Sequence, residues 1–406
     1  MTFASRMSRV TVSPTLRVAA EADRLRRSGV NVVDLGAGEP DFGTPEHVKD
    51  AAHAALNANF TKYTPSAGVL EFREAVAHDY HARYSVAVRP DQVIISAGAK
   101  QALYNAAMVL FDRGDEVITH SPFWPTIVDQ IKLADATPVV VQTHRDDGFA
   151  IKAQAIIDAI TPKTKAIIIN SPCNPTGALI SEGEMAAIAD AAAARGIWVI
   201  ADVTYEHLIY DPVPHNLITI LLDRLPDRTV ICSSASKSYA MTGWRCGWAI
   251  GPREFIAQCN VIQGHATSNI NSITQKAGIA ALTGPQDDVA VMLNEYRQRR
   301  DAVHGWLTAD PRFQCVKPSG AFYLFPYVAD LLSPMGIKTT GELAEALLTE
   351  VAVAITPGEG FDAPGFFRLS YATSLDRLRE GVDRMFAFVA ALEKSGKIPS
   401  AKAART

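Results

Sequence analysis

The segment SASKSYAMTGWRCG, residues 234–247, gathers two hydroxyls (Ser234, Ser236), a primary amine (Lys237) and a fixed cation (Arg245) into one short stretch. A lysine ordinarily sits at the surface as a solvated charge. Lys237 instead follows an apolar strand pattern, TVICS, in a strand-end loop with few other charges and an aromatic-rich flank. Such surroundings lower an ammonium pKa and leave a neutral amine able to hold a carbonyl compound as a Schiff base. Ser234, Ser236 and Arg245 then suit the phosphate of a bound cofactor, with Arg245 as a two-pronged donor.

Further polar residues stand at the ends of other apolar runs. SAGAKQ turns from one such run into a helix, and the backbone N–H groups of Gly98, Ala99 and Lys100 could face a phosphate there, although turns of this kind are usually plain connections. Asp202 closes IWVIAD. It is a helix cap or salt-bridge partner on the bland reading. Beside a cofactor with a pyridine nitrogen it would keep that nitrogen protonated and the ring an electron sink. Asn174 in SPCNPTG and Tyr205 could both hydrogen-bond a phenolic oxygen on the same ring, or be a turn residue and a core aromatic. Trp124 in SPFWPT is a core aromatic or a ring that stacks on the cofactor. Arg368 in FFRLSYAT has apolar neighbours, and a buried cation needs an anion, such as a substrate carboxylate.

These groups need a scaffold that brings strand ends together. The middle of the chain alternates short β-branched runs (92–96, 116–119, 166–170, 198–202, 229–233, 249–251) with helical patterns such as Gly183–Arg195. That alternation predicts an α/β fold, a mostly parallel doubly wound sheet, with ligands beyond the strands' carboxyl ends. We place it in a large domain at 46–295. A smaller α+β domain follows at 296–406: a helix over 288–307, a strand within CVKPSGAFYLFPYV, a helix over 340–350, then VAVAITPG and FFRLSYAT. Residues 1–45 are expected to join this second domain or to reach a partner.

Composition narrows the function further. The 406 residues carry a formal net charge of −4 and no long basic run, which argues against nucleic acid. Five cysteines without a CxxC pair offer no disulfide framework or zinc knuckle, and HExxH is absent, so no metal is expected. There is no signal-peptide core and no apolar run long enough for a membrane span. A reduced, cytoplasmic protein without membrane contact is the expectation.

GAGEPDFGTPEHV (36–48), TKYTPSAGVLEFREAV (61–76), AGAKQALYN (97–105), NSPCNPTGA (170–178), SKSYAMTGWRCGW (236–248), PSGAFY (318–323) and FRLSYATS (367–374) run through nearly the whole chain. Together they resemble the class I/II aminotransferases of pyridoxal-phosphate fold type I, in particular the aspartate aminotransferase subgroup Ib. The resemblance implies pyridoxal 5'-phosphate as cofactor and Lys237 as the lysine that carries it. Asp202 then holds the pyridine nitrogen, Asn174 and Tyr205 the phenolic oxygen, and Trp124 the ring face. Ser234, Ser236, Arg245 and the amides of Gly98, Ala99 and Lys100 hold the phosphate. Arg368, Asn174 and the Gly38 backbone take the substrate α-carboxylate. Tyr63 reaches the phosphate in a neighbouring subunit, which makes a homodimer part of the site.

The substrate reading stays broader. Aspartate with 2-oxoglutarate comes first, with Lys100, Ser13 and Thr15 facing the distal carboxylate; Lys100 could equally be a phosphate-loop residue without substrate contact. Prephenate and aromatic or broad-range amino acids are alternatives, as is a lyase reaction on the same cofactor. A transcription regulator of the same fold would carry a DNA-binding module before the GAGEPDF motif, which the sequence does not suggest. Departures from the usual pattern at Val203 (with Thr204 next to it), Cys246 and Pro125–Ile127 put the side-chain pocket in question.

Overall fold

The computed structural model describes residues 3–10 and 14–394, without the side chains of residues 14–17 and 19. Its strands in chain order are β1 (Val33–Asp34), β2 (Val93–Ser96), β3 (Glu116–Ser121), β4 (Thr137–Gln142), β5 (Thr164–Asn170), β6 (Trp198–Asp202), β7 (Thr229–Ser234), β8 (Gly247–Ile250), β9 (Tyr323–Leu324), β10 (Val353–Ala354), β11 (Thr356–Pro357) and β12 (Phe367–Ser370). Seven of them form one sheet in the order β2-β8-β7-β6-β5-β3-β4. Only β8 runs against its neighbours. The ends of β2, β3, β5, β6 and β7 therefore share one edge.

Near-continuous apolar runs make these strands buried on both faces, as parallel sheets require. Alternation then sorts the side chains. Ile95, Ile167, Ile169, Val199 and Ile231 face one core, packed by the helices Leu70–Tyr84 and Glu182–Arg195. Ile94, Ile168, Ile200 and Val230 face the other, under the helices Ala99–Leu110, Pro125–Leu133 and Arg253–Ala266. The sheet is thus doubly wound. The edge strand β4 adds to the strands predicted from sequence; it carries Pro138, which an edge tolerates because one side of the ladder has no partner.

The second core surrounds two small sheets, β1–β10 and β11–β12–β9, and the helices Asp287–Leu307, Thr340–Val351 and Leu375–Lys394. The segment CVKPSGAFYLFPYV, predicted as a strand, contributes only Tyr323–Leu324. Pro318 and Pro326 cannot donate to a ladder, and a Cβ on Gly320 would lie 2.7 Å from Pro172. This core also takes in Tyr205, Leu208 and Tyr210, which follow β6, and Leu35 from the N-terminal segment. Both cores therefore meet at the carboxyl end of β6. Among the described residues no helix is long and apolar enough to cross a membrane, and no group of three or more His, Cys, Asp or Glu side chains could hold a metal.

Candidate active site

The strand register aligns the candidate groups before any side chain is considered. Asp202 lies opposite Asn170 on one side and Cys232 on the other, and Gly247 sits between Ser96 and Ser234. Beyond Ser96 the chain turns through Gly98, with φ at +77°, into the helix Ala99–Leu110. A Cβ on Gly247 would come within 2.6 Å of the Gly98 carbonyl carbon, and one on Gly98 within 2.5 Å of the Arg245 guanidinium. Both glycines are needed for this close approach. Arg245, itself left-handed at φ 55°, reaches across and donates to the carbonyls of Ala97 and Thr242, each at 2.9 Å.

Four donors at this turn are left for a ligand. The amides of Ala99 and Lys100 open the helix, where no residue four positions back belongs to it, and neither has an acceptor among the described residues. The buried hydroxyls of Ser234 and Ser236 have no hydrogen-bond partner among the described residues. Helix amides, two hydroxyls and a guanidinium around two bare glycines make a cradle for a phosphate.

Lys237 stands on the short helix Ala235–Ser238 rather than in the open loop predicted for it. Its ammonium donates to the Gly38 carbonyl and lies 5.6 Å from the centre of the Phe322 ring. Burial pulls its pKa down to about 8; Arg368 adds to this, Glu39 opposes it, and Arg245 and Lys100 add more. About a tenth of the amine is then neutral at pH 7, against a negligible fraction for an ordinary lysine.

Asp202 is 3% exposed. Its Oδ1 accepts the Thr204 amide at 3.2 Å and the Thr204 hydroxyl at 2.7 Å, while no group among the described residues donates to Oδ2. Burial raises its pKa, with the Thr204 bonds and Lys237 pulling the other way. Asn170 braces the same edge. Its amide donates to the Asp202 carbonyl at 3.2 Å, and its carbonyl oxygen accepts the Asn174 N–H at 2.8 Å.

Arg368 is 2% exposed, and no carboxylate pairs with it among the described residues. It donates to Asn174 Oδ1 and to the Gly36 carbonyl, each at 3.0 Å, and lies 4.2 Å from the centre of the Tyr323 ring. Its Nε is buried without a partner. A cation held by neutral groups alone in a buried place is built for an incoming anion. The Tyr323 hydroxyl bonds that of Tyr205 at 2.9 Å and would lie 3.3 Å from a Cβ on Gly38. Tyr323 and Asn170 were not singled out from sequence, although both stand inside the quoted motifs PSGAFY and NSPCNPTGA.

Lys100 sits at the exposed rim with its ammonium 4.9 Å from the centre of the Trp124 ring. Tyr63 is 89% exposed in the single chain. Ser13 lies outside the described residues, and Thr15 is described only as part of the helix Pro14–Arg27. Val203, Cys246 and Ile127, flagged as departures near the pocket, are core residues at 1%, 0% and 2% exposure. Thr204, next to Val203, touches the candidate site through Asp202.

The family profile for aminotransferases of class I and II matches residues 30–385. The chain is 43% identical to an aspartate aminotransferase of Bacillus subtilis, over 96% of this chain and 99% of that protein. It is 40% identical to a probable aspartate/prephenate aminotransferase of Aquifex aeolicus, over 94% and 97%. The solved structure of an aspartate aminotransferase from Thermus thermophilus with maleate superposes with a TM-score of 0.90 at 39% identity, covering 96% of this chain and all of that one.

Proposed function

The chain belongs to the class I and II aminotransferases and is a transaminase, and on that premise we propose that it binds pyridoxal 5'-phosphate through Lys237 and moves the amino group of aspartate to 2-oxoglutarate. The observation that carries this reading is the juxtaposition around Lys237: a half-buried amine with its pKa near 8, set among a phosphate cradle, an ionisable carboxylate and a buried arginine that no carboxylate pairs with among the described residues.

Each part has a place. Ser234, Ser236, Arg245 and the Gly98–Lys100 turn would hold the phosphate. Asp202 Oδ2 would face the ring nitrogen, Asn174 and Tyr205 the phenolic oxygen, and Trp124 the ring. When bound, the cofactor supplies an electron sink for the charge left at the substrate Cα. Lys237, once its amine is free, takes the Cα proton and returns it, a role its lowered pKa suits. Arg368, Asn174 and the Gly38 backbone fix the α-carboxylate, and the rigid Tyr323–Arg368 stack keeps that anchor aimed.

Lys100, with Ser13 and Thr15, is the proposed contact for the distal carboxylate. Maleate, named with the Thermus relative, is a four-carbon dicarboxylate of the same length as aspartate, and this supports aspartate over the larger prephenate as the first choice. We further propose a homodimer in which Tyr63 completes the neighbouring site, a cytoplasmic location, and domain limits of 1–45, 46–295 and 296–406.

Borohydride reduction of the cofactor-loaded protein, followed by peptide mapping, tests the assignment. The expected adduct is on Lys237, and an adduct on any other lysine overturns it.

A further inference from the structure

The side chain at position 204, next to the departure at Val203, reaches the candidate site. The turn after β6 folds the Thr204 amide back onto Asp202 Oδ1, a bond any residue could make there. The hydroxyl adds a second, shorter bond of 2.7 Å to the same oxygen. Two donors on Oδ1 fix the rotation of the carboxylate. They leave Oδ2 as the oxygen without a donor among the described residues.

We propose that Thr204 is a positioning residue for Asp202: its hydroxyl locks the carboxylate and keeps it ionised, so that Oδ2 meets a protonated pyridine nitrogen. The inference rests on the cofactor reading above.

The electrostatic need is visible around it. Asp202 is buried beside the Cys232 and Cys173 thiols, which supply no positive charge, and Lys237 is the cation that faces it. In the loaded state the Lys237 nitrogen would be condensed with the cofactor carbonyl, with loss of water, and would no longer be a free ammonium facing Asp202. At that moment burial favours a neutral carboxylic acid facing a neutral ring nitrogen. A hydroxyl donating to Oδ1 stabilises the anion more than the acid, and so shifts the shared proton toward the ring. Thr204 itself is half-buried and comes from a turn, so its side chain can be altered without opening a core cavity.

The test compares the parent with Thr204→Val, Thr204→Ala, Thr204→Ser and Asp202→Asn, each loaded with cofactor labelled with ¹⁵N at the pyridine nitrogen. The nitrogen resonance reports protonation directly and does not depend on turnover. Thr204→Val and Thr204→Ala are expected to move the resonance toward the neutral ring and to slow turnover about tenfold, within the range of one charge-assisted bond. Thr204→Ser should restore both. If Thr204→Val does not fold, Thr204→Ala decides. A protonated signal in the hydroxyl-free variants, with Asp202→Asn neutral, overturns the role of Thr204 and leaves Asp202 in place. A protonated signal in Asp202→Asn overturns the reading of Asp202 itself, and the inference with it.

Discussion

Lys100 carries an ammonium with no carboxylate partner among the described residues, pressed against the face of Trp124 at the rim of the site. Burial lowers its pKa, and Arg245 lowers it further. An unpaired cation beside two others gains from any anion that reaches it. A charge-assisted hydrogen bond contributes roughly 1.5–3 kcal/mol, and ~1.4 kcal/mol is a factor of ten. Lys100→Ala should therefore cut kcat/KM for aspartate about 10- to 100-fold and leave that for alanine, which has no distal carboxylate, nearly unchanged. The ratio of the two, measured in both proteins, is the readout. An unchanged ratio would move Lys100 out of the substrate pocket and into the phosphate loop. At this scale much of the site was legible: a lysine after TVICS, an arginine inside FFRLSY and an aspartate closing IWVIAD each stand where polar residues are rare. Tyr323 and Thr204 were not legible as site residues. An aromatic in an apolar run reads as core, and a threonine's partner two residues back depends on a turn that the sequence does not specify.

At the scale of elements, the edge that carries the site is held by a network of its own. Glu206 follows Tyr205 and is buried against the helix Leu70–Tyr84. It accepts from Tyr80 at 3.1 Å, Tyr84 at 2.6 Å, Arg83 at 3.0 Å and Ser233 at 2.5 Å. Burial alone would raise its pKa, but Arg83, with the Ser233 and Tyr84 hydroxyls, outweighs it and holds the carboxyl at about 2. His207 also faces it, yet its own pKa falls to about 4, so at neutral pH it is uncharged and Arg83 is the operative cation. The network ties the helix to the ends of β6 and β7, between Tyr205 and Ser234. Removing one partner of a buried pair costs about 3–5 kcal/mol, and Glu206→Gln should lose about 3 kcal/mol in urea unfolding at pH 7. The sign with pH follows from a folded pKa below the ordinary 4.5. The contribution is present above about 4.5 and is lost as pH falls toward 2, so the gap between parent and variant should narrow over that window. A gap that stays constant would mean that packing, not charge, holds the edge. The strands of this sheet were readable because each is a continuous apolar run. The edge strand β4, with Pro138 and half-exposed residues, was hidden, and the strand expected within CVKPSGAFYLFPYV is confined to Tyr323–Leu324, since pairing rather than local pattern sets both.

For the whole molecule, the candidate site lies where the two cores meet, with the sheet supplying Lys237, Asp202 and the Gly98 turn, and the second core supplying Arg368 and Tyr323. Composition and alternation made the α/β class legible. They carried no signal for the stitching between distant segments, such as the Arg299–Asp41 pair at 2.7 Å that anchors the GAGEPDF segment to the helix Asp287–Leu307. The claim that binds all scales is transamination of a dicarboxylic amino acid, and a single half-reaction tests it most directly. The cofactor-loaded protein is mixed with aspartate alone, and oxaloacetate, free ammonia and the amino group kept by the protein are counted per site. The expected result is one oxaloacetate per site, no ammonia, and an amino group released as glutamate only when 2-oxoglutarate is added. Continued turnover with release of ammonia, or no oxaloacetate at all, would contradict it.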